Sequence, residues 1–189
     1  MKPNLIRHST ILTREKTALL VIDIQEKLFP VMFSPENLIQ NTIKLIEGFN
    51  VLGSPVFITE QYPKGLGETE KTIKNTLKNT VPIQKMSFSC LGADDLFGIL
   101  QYKKIKQLVL AGIESHVCVQ QTALDLLANG FQVSLAADAC SSRKEKDYTI
   151  ALNRMQNAGV IITTTEAILF ELLKVCGTDE FKQISKIVK

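Results

Sequence analysis

Three residues of types that take part in hydrolytic chemistry each follow an apolar run of the sequence. Asp23 ends the run ALLVID, Lys85 ends VPIQK, and Cys118 comes shortly after KQLVLAG. A cysteine can attack a carbonyl carbon, a carboxylate can take and return the proton, and an ammonium group can stabilise both anions. Together the three residue types predict cysteine-dependent hydrolysis.

Each of the three residues also has a simpler interpretation. Asp23 could be the N-cap of a following helix, because Asp is a preferred cap residue. A lysine at a strand end is usually a solvated charge, and Cys118 could be an inert residue facing the core. The catalytic hypothesis therefore depends on whether the three side chains meet in the folded chain.

Cys118 occupies a position that favours an ionised thiol. The sequence IESHVC leads from an apolar run into an amphipathic helix, which puts Cys118 in the first helical turn. The unpaired amides and the positive dipole end of that turn stabilise an anion. We therefore expect Lys85 to keep both Asp23 and Cys118 ionised. His116 stands two residues earlier and is interpreted as pointing away from Cys118 rather than forming a dyad with it.

Apolar, β-branched runs alternate with helical patterns along the chain. The runs are nearly continuous in apolar character, which is typical of strands covered on both faces; they cover 18–22, 55–59, 81–85, 106–111, 132–137 and 159–164. Helical patterns cover 35–49, 117–129, 144–157, 167–175 and 179–187. This alternation predicts an α/β fold, a Rossmann-like three-layer αβα sandwich with a mainly parallel six-stranded sheet. Ligands of such sheets bind at the carboxyl ends of the strands, which is where the three candidate residues stand.

Composition limits the class of protein and its partners. The 189 residues are 45% hydrophobic, which excludes a disordered chain and fits one domain over 1–189. The net charge is +3 and only four of the 22 basic residues are Arg, which argues against nucleic acid as a partner. The apolar runs are too short for a membrane span, and no apolar leader is visible, so we expect a cytoplasmic protein with reduced thiols.

Long stretches around the candidate residues resemble the isochorismatase-like cysteine hydrolase superfamily. The resemblance covers 17 to about 173 and is carried by ALLVIDIQEKLFP, QKMSFSC and LVLAGIESHVCVQQTALDLLANGFQVSLAADACSS. Two further stretches, TEQYPKGLG and SRKEKDYTIALNRM, are similar to the isochorismatase domain-containing branch of that superfamily.

The resemblance implies a catalytic triad and an oxyanion hole. The Asp, Lys and Cys of the family map onto Asp23, Lys85 and Cys118. A cis peptide bond that often precedes the family's cysteine maps onto Ile113–Glu114. The backbone N–H groups of Glu114 and Cys118 would then bind the oxyanion of a tetrahedral intermediate.

Two departures from the family pattern narrow the expected activity. Family nicotinamidases hold a metal through an Asp and several His residues, whereas the corresponding stretch ITEQYPKGLGETEKTIKN contains neither, so we expect no metal and no other cofactor. Isochorismate hydrolases of the family lack the nucleophilic cysteine, so Cys118 argues against isochorismate as the substrate. The resemblance therefore implies hydrolysis of a small amide through a thioester, in a homo-oligomer.

Loop residues at the strand ends are candidates for a pocket around a small-molecule substrate. They are Gln25, Phe29, Glu60, Tyr62 and Phe88. Each has an alternative role in packing of the core or the rim, and Glu60 could be solvated.

Three alternatives to the hydrolase stay open. The first is a catalytically idle oligomeric scaffold of the same fold. The second is a thiol redox protein, which would need a resolving cysteine near Cys118. We expect structural roles instead for the other three cysteines, Cys90, Cys140 and Cys176. The third is a dinucleotide-binding domain, for which no GxGxxG follows the first strand.

Overall fold

A parallel six-stranded sheet forms the centre of the computed structural model, which describes residues 6–77, 80–93 and 95–189. The strand order is β3-β2-β1-β4-β5-β6, and every pairing between neighbours is parallel. The strands are β1 (Thr17–Ile22), β2 (Val56–Gln61), β3 (Ile83–Lys85), β4 (Gln107–Gly112), β5 (Gln132–Cys140) and β6 (Ile161–Thr163). The predicted α/β class with a six-stranded sheet is confirmed.

Helices cover both faces of the sheet. They are α1 (Pro35–Leu52), α2 (Pro63–Leu66), α3 (Lys71–Thr76), α4 (Leu96–Tyr102), α5 (Gln120–Ala128), α6 (Glu145–Asn157), α7 (Thr165–Leu173) and α8 (Asp179–Ile187). The sequence patterns missed the short helices α2, α3 and α4. None of the helices within the described residues is both long and apolar enough to cross a bilayer.

The apolar runs are continuous because each central strand contributes to two cores. In β1, Leu19 and Val21 belong to the cluster that includes Phe49 of α1. Leu20 and Ile22 belong to the cluster on the other face, which includes residues of α5. Burial on both faces is typical of a parallel sheet and explains why β1 shows no polar alternation.

The strand order reverses between β1 and β4. From β1 the chain crosses to β2 on one side, and the later strand β4 pairs with β1 on the other side. Such a switch point opens a crevice at the carboxyl ends of the strands. Asp23 directly follows β1, and the segment with Cys118 follows β4, so both lie at this crevice.

Gly112 allows β1 and β4 to approach each other at the crevice. It has a φ of +128°, and a Cβ atom there would lie 2.1 Å from the carbonyl oxygen of Ile22. Gly112→Ala should therefore lower the free energy of unfolding by more than about 2 kcal/mol in urea denaturation. Gly98→Ala is the matched control: its site in α4 has no atom within 4 Å of the new Cβ, and it should gain about 0.5–1 kcal/mol. Equal effects of the two substitutions would contradict this role of Gly112.

Candidate active site

A buried ion pair joins the ends of β1 and β3. The Nζ of Lys85 lies 2.6 Å from Oδ2 of Asp23, and both side chains are 0% exposed. The other carboxylate oxygen, Oδ1, accepts a hydrogen bond from the hydroxyl of Thr59 at 2.7 Å. Asp23 itself has a positive φ of 52°, which turns the chain away from the sheet directly after β1. The alternative interpretation of Lys85 as a solvated charge is therefore wrong, because Lys85 is paired and enclosed.

Lys85 also holds the loop that follows it. Besides Asp23, its Nζ donates to Oε1 of Gln61 at 2.8 Å and to the backbone oxygens of Ser87 at 3.2 Å and Phe88 at 3.1 Å. An ammonium group has three protons, so these acceptors engage all of them. Gln61, which the sequence did not single out, ties the loop further by donating to the carbonyl oxygen of Met86 at 2.8 Å.

Cys118 lies in a π-helical turn, Ser115–Val119, that leads into α5. Its side chain is buried and is close enough to the Asp23 carboxylate to interact with it. The fold thus brings Asp23, Lys85 and Cys118 together at the carboxyl edge of the sheet, although 62 residues separate Asp23 from Lys85. Of these three side chains, that of Cys118 provides the nucleophilic atom, its sulfur.

The surroundings of Cys118 favour the neutral thiol over the thiolate. Burial raises its pKa above the usual range, the negative charge of Asp23 raises the pKa further, and Lys85 offsets only part of the shift. The helix start, which the sequence predicts to favour a thiolate, is therefore opposed by desolvation and by the adjacent carboxylate.

The pKa of Asp23 is subject to opposing influences. Burial raises it, while the charge of Lys85 and hydrogen bonds from Lys85, Thr59 and Cys118 lower it, and the net direction is upward. Burial lowers the pKa of the Lys85 ammonium, but the charge of Asp23, the hydrogen bond to it and the nearby Cys90 and Cys118 sulfurs together outweigh burial, so that pKa is raised. A carboxylate with a raised pKa beside a neutral thiol is suited to take the thiol proton.

The segment before Cys118 presents a free backbone donor. The peptide bond between Ile113 and Glu114 is cis. Within the described residues, the Glu114 N–H lies outside every helix and strand and has no backbone acceptor. The Glu114 carboxylate accepts from Nε of Arg143 at 2.8 Å, and the Ser115 N–H donates to the carbonyl oxygen of Ser141 at 2.8 Å, which fixes the segment against the end of β5.

Comparison with known proteins identifies the family. The family model for the isochorismatase domain matches residues 17–167, which is most of the chain. The chain belongs to the isochorismatase domain family. The resemblance found in the sequence is thereby confirmed.

Individual relatives agree with this family assignment. Isochorismatase domain-containing protein 1 of Salmo salar is 39% identical over 92% of this chain, and the chain spans 61% of that protein's length. The structure of MAR1 ribonuclease from Caenorhabditis elegans is 37% identical, with a TM-score of 0.87 over 94% of this chain and 91% of that one. The ycaC gene product of Escherichia coli, an octameric hydrolase of unknown specificity, shares the fold with a TM-score of 0.88 at 21% identity, over 96% of this chain and 92% of that one.

Two of the predicted pocket residues are engaged inside the protein. The side-chain amide of Gln25 accepts from the Gln61 N–H at 2.8 Å and donates to the carbonyl oxygens of Gln61 at 3.0 Å and Gly67 at 2.6 Å. Glu60 is 4% exposed, and its Oε1 accepts from both the N–H and the hydroxyl of Thr69. The structure therefore differs from the expected pocket here, since both side chains brace the loop after β2 and Glu60 is not solvated.

The aromatic pocket candidates lie in different environments. Phe29 is half-buried and packs against the core on the α1 face. Tyr62 lines a cavity of about 540 Å³ that Lys85 and Met86 also border. Phe88 is 54% exposed in the loop that Lys85 holds. Neither Asp23 nor Cys118 borders this cavity, and the part of Tyr62 and Phe88 in binding stays a prediction.

The side chain of His116 bonds to a residue outside the group formed by Asp23, Lys85 and Cys118. The Nδ1 of His116 lies 3.0 Å from the hydroxyl of Ser142, so this ring hydrogen-bonds to the segment that follows β5. Among the residues that the structure describes, no group of three His, Cys, Asp or Glu side chains could hold a metal ion.

A second cysteine, Cys90, lies beside the ion pair. Its side chain is fully buried, its Sγ is 3.7 Å from the hydroxyl of Thr59, and burial raises the pKa of its thiol to about 11. The spacing of cysteines in the sequence did not predict that Cys90 lies close to Cys118, because only the fold brings the two residues together.

Proposed function

We propose that the chain is a cysteine hydrolase that cleaves the C–N bond of a small amide through a thioester on Cys118. The observation that carries this proposal is the Asp23–Lys85 ion pair, which is fully buried and has the Cys118 thiol next to its carboxylate. A carboxylate enclosed in this way is placed to take the proton of the Cys118 thiol, which, unlike the fully buried Cys90, is slightly exposed. The family's hydrolase class supports the same chemistry.

In the first half of the reaction, Asp23 accepts the thiol proton as the sulfur attacks the carbonyl carbon. The N–H groups of Glu114 and Cys118 hydrogen-bond the oxyanion that forms. Asp23 then gives the proton to the leaving nitrogen, the C–N bond breaks, and the amine departs. The acyl group remains on Cys118 as a thioester.

In the second half, water enters and Asp23 takes a proton from it. The hydroxide attacks the thioester carbonyl, the C–S bond breaks, and the sulfur recovers its proton from Asp23. Lys85 acts electrostatically throughout, because acceptors of the protein already engage its protons.

Alkylation offers a test of the nucleophile that needs no substrate. In a Cys176→Ser variant, which removes an exposed thiol, iodoacetamide should label Cys118 before Cys90 or Cys140. The reason is that Cys118 has the Asp23 carboxylate beside it to take its proton and is slightly exposed, whereas Cys90 is fully buried. Because Asp23 must be ionised and its pKa is raised, the rate should fall on acidification at a pH above the ordinary value of about 4.

Peptide mapping by mass spectrometry reads out this experiment. Faster labelling of Cys90 or Cys140 than of Cys118 would contradict the assignment of the nucleophile.

Turnover itself is tested on a panel of small amides and carbamoyl compounds with ammonia release as the readout. At least one compound should be hydrolysed by the unmodified chain and left intact by the Cys118→Ala variant. No hydrolysis of any compound, together with an unreactive Cys118, would instead favour a catalytically idle scaffold.

The Caenorhabditis elegans relative supports a second candidate, RNA cleavage. That protein is described as a ribonuclease, and it is 37% identical to this chain. The weak net charge and the few, scattered arginines favour a small uncharged substrate instead. Incubation with RNA separates the two candidates: cleavage that is lost in Cys118→Ala would replace the amide with a phosphodiester as the substrate.

Assembly into a homo-oligomer stays a prediction. The octameric protein of Escherichia coli shares the fold at 21% identity, so its assembly is a precedent rather than a measurement on this chain. Sedimentation velocity gives the oligomeric state directly.

A further inference from the structure

Thr59 contacts Asp23 through both its backbone and its side chain. It pairs with Ile22 in the β1–β2 register, its carbonyl oxygen accepts from the Asp23 N–H at 3.3 Å, and its hydroxyl donates to Oδ1 at 2.7 Å. Both side chains are 0% exposed. With Lys85 on Oδ2, each oxygen of the carboxylate has its own donor, so the carboxylate cannot rotate without losing one of them.

The Cys90 thiol is placed to donate a hydrogen bond to the Thr59 hydroxyl oxygen. A hydroxyl has one proton, and that proton is donated to Asp23, so the Thr59 oxygen faces Cys90 as an acceptor. The Cys90 Sγ lies 3.7 Å away, and with a pKa of about 11 its thiol keeps the proton that it donates. The Cys90 N–H in turn donates to the hydroxyl of Thr122 in α5 at 2.9 Å. These bonds link the strand beside the base to the helix that follows the nucleophile.

We propose that Thr59 is a positioning residue for the hydrolytic reaction, whose hydroxyl, held by Cys90, fixes Asp23 and stabilises its ionised form. The inference rests on the proposed function, since it concerns Asp23 as the base. Within the described residues, three titratable groups face the Asp23 carboxylate, namely Lys85, Cys90 and Cys118. Thr59 differs from Lys85 because it stabilises the carboxylate without adding a charge, and from the two thiols because its hydroxyl does not titrate.

The test is the pH dependence of Cys118 alkylation by iodoacetamide in the Cys176→Ser background. Thr59→Val removes the hydroxyl at nearly constant volume, and it should move the acidic midpoint of the rate upward by about one pH unit. Thr59→Ser keeps the hydroxyl and should restore the midpoint of the parent protein. A purely structural role would lower the rate at every pH and leave the midpoint in place, which would overturn the inference.

Thr42→Val is the matched control for burial. Thr42 is also 0% exposed, and its hydroxyl donates to the carbonyl oxygen of Leu38 within α1, away from the site. Its substitution should leave the midpoint unchanged, and an equal shift in both valine variants would contradict the inference. Thr59→Ala carries the same test with the same outcomes if Thr59→Val does not fold.

Cys90→Ala tests the second link. Because Cys90 acts through Thr59, its removal should shift the midpoint upward by less than Thr59→Val does. The double variant should have the same midpoint as Thr59→Val alone, because in both variants Thr59 no longer offers a hydroxyl with which Cys90 could form a hydrogen bond. Additive shifts would show that Cys90 acts on Asp23 independently and would overturn this link.

The outcomes separate the inference from the proposed function. An acidic midpoint in the parent protein that Thr59→Val leaves unmoved overturns only the role of Thr59. A Cys118 that is not alkylated, or is alkylated without an acidic midpoint, overturns Asp23 as its base and the inference together.

Discussion

Cys118→Ala should lower kcat/KM for any amide that the protein hydrolyses by at least about 10³-fold. The substitution removes the atom that forms the thioester, and Cys90 cannot replace it, because Cys90 is fully buried next to Thr59. The side chain is small, so the thermal unfolding curve should change little. Steady-state kinetics of ammonia release gives the ratio.

Cys176→Ala is the matched control for this substitution. Cys176 is exposed and distant in sequence from the site, so its removal should leave kcat/KM within about twofold. A Cys118→Ala variant that retains turnover would show that the sulfur does not react.

Lys85→Met should lower the free energy of unfolding by about 3–5 kcal/mol. It leaves the Asp23 carboxylate buried without its cation, and it deprives Gln61, Ser87 and Phe88 of the donor that their oxygens share. Urea denaturation measures the loss. Activity should fall as well, since an unpaired buried carboxylate becomes protonated and can no longer act as a base.

Two further variants test the explanation of that loss. Asp23→Asn combined with Lys85→Met removes both charges and should recover part of the stability. Lys182→Met breaks the exposed pair with Asp179 and should cost no more than about 1 kcal/mol. A loss after Lys85→Met as small as that of Lys182→Met would contradict a structural ion pair at the site.

Long elements buried on both faces could be predicted from the sequence. β1 and β4 were found because every residue in them is buried, which leaves a continuous apolar run. The helices α2 and α3 were missed because they are four and six residues long, too short for an apolar periodicity to develop. The strand β5 continues to Cys140, beyond the predicted end, through an irregular register next to Gly112.

The residue types of the candidate site could be predicted from the sequence, but the protonation state of Cys118 could not. Asp23, Lys85 and Cys118 stand directly at or after strand ends, where local spacing and the family resemblance both point. Thr59 and Cys90 carry no local signal, since the first is an ordinary β-branched strand residue and the second acts only through a contact that the fold creates. The neutral state of Cys118 depends on burial and on the distance to a carboxylate, which sequence spacing does not contain.

The most direct measurement is a rapid-quench mass analysis of the protein during turnover of an amide from the panel. The account predicts a transient mass increase equal to the acyl group, located by peptide mapping on Cys118 and decaying as the acid product appears. Turnover with no such adduct, or an adduct on Cys90 instead, would contradict Cys118 as the attacking residue.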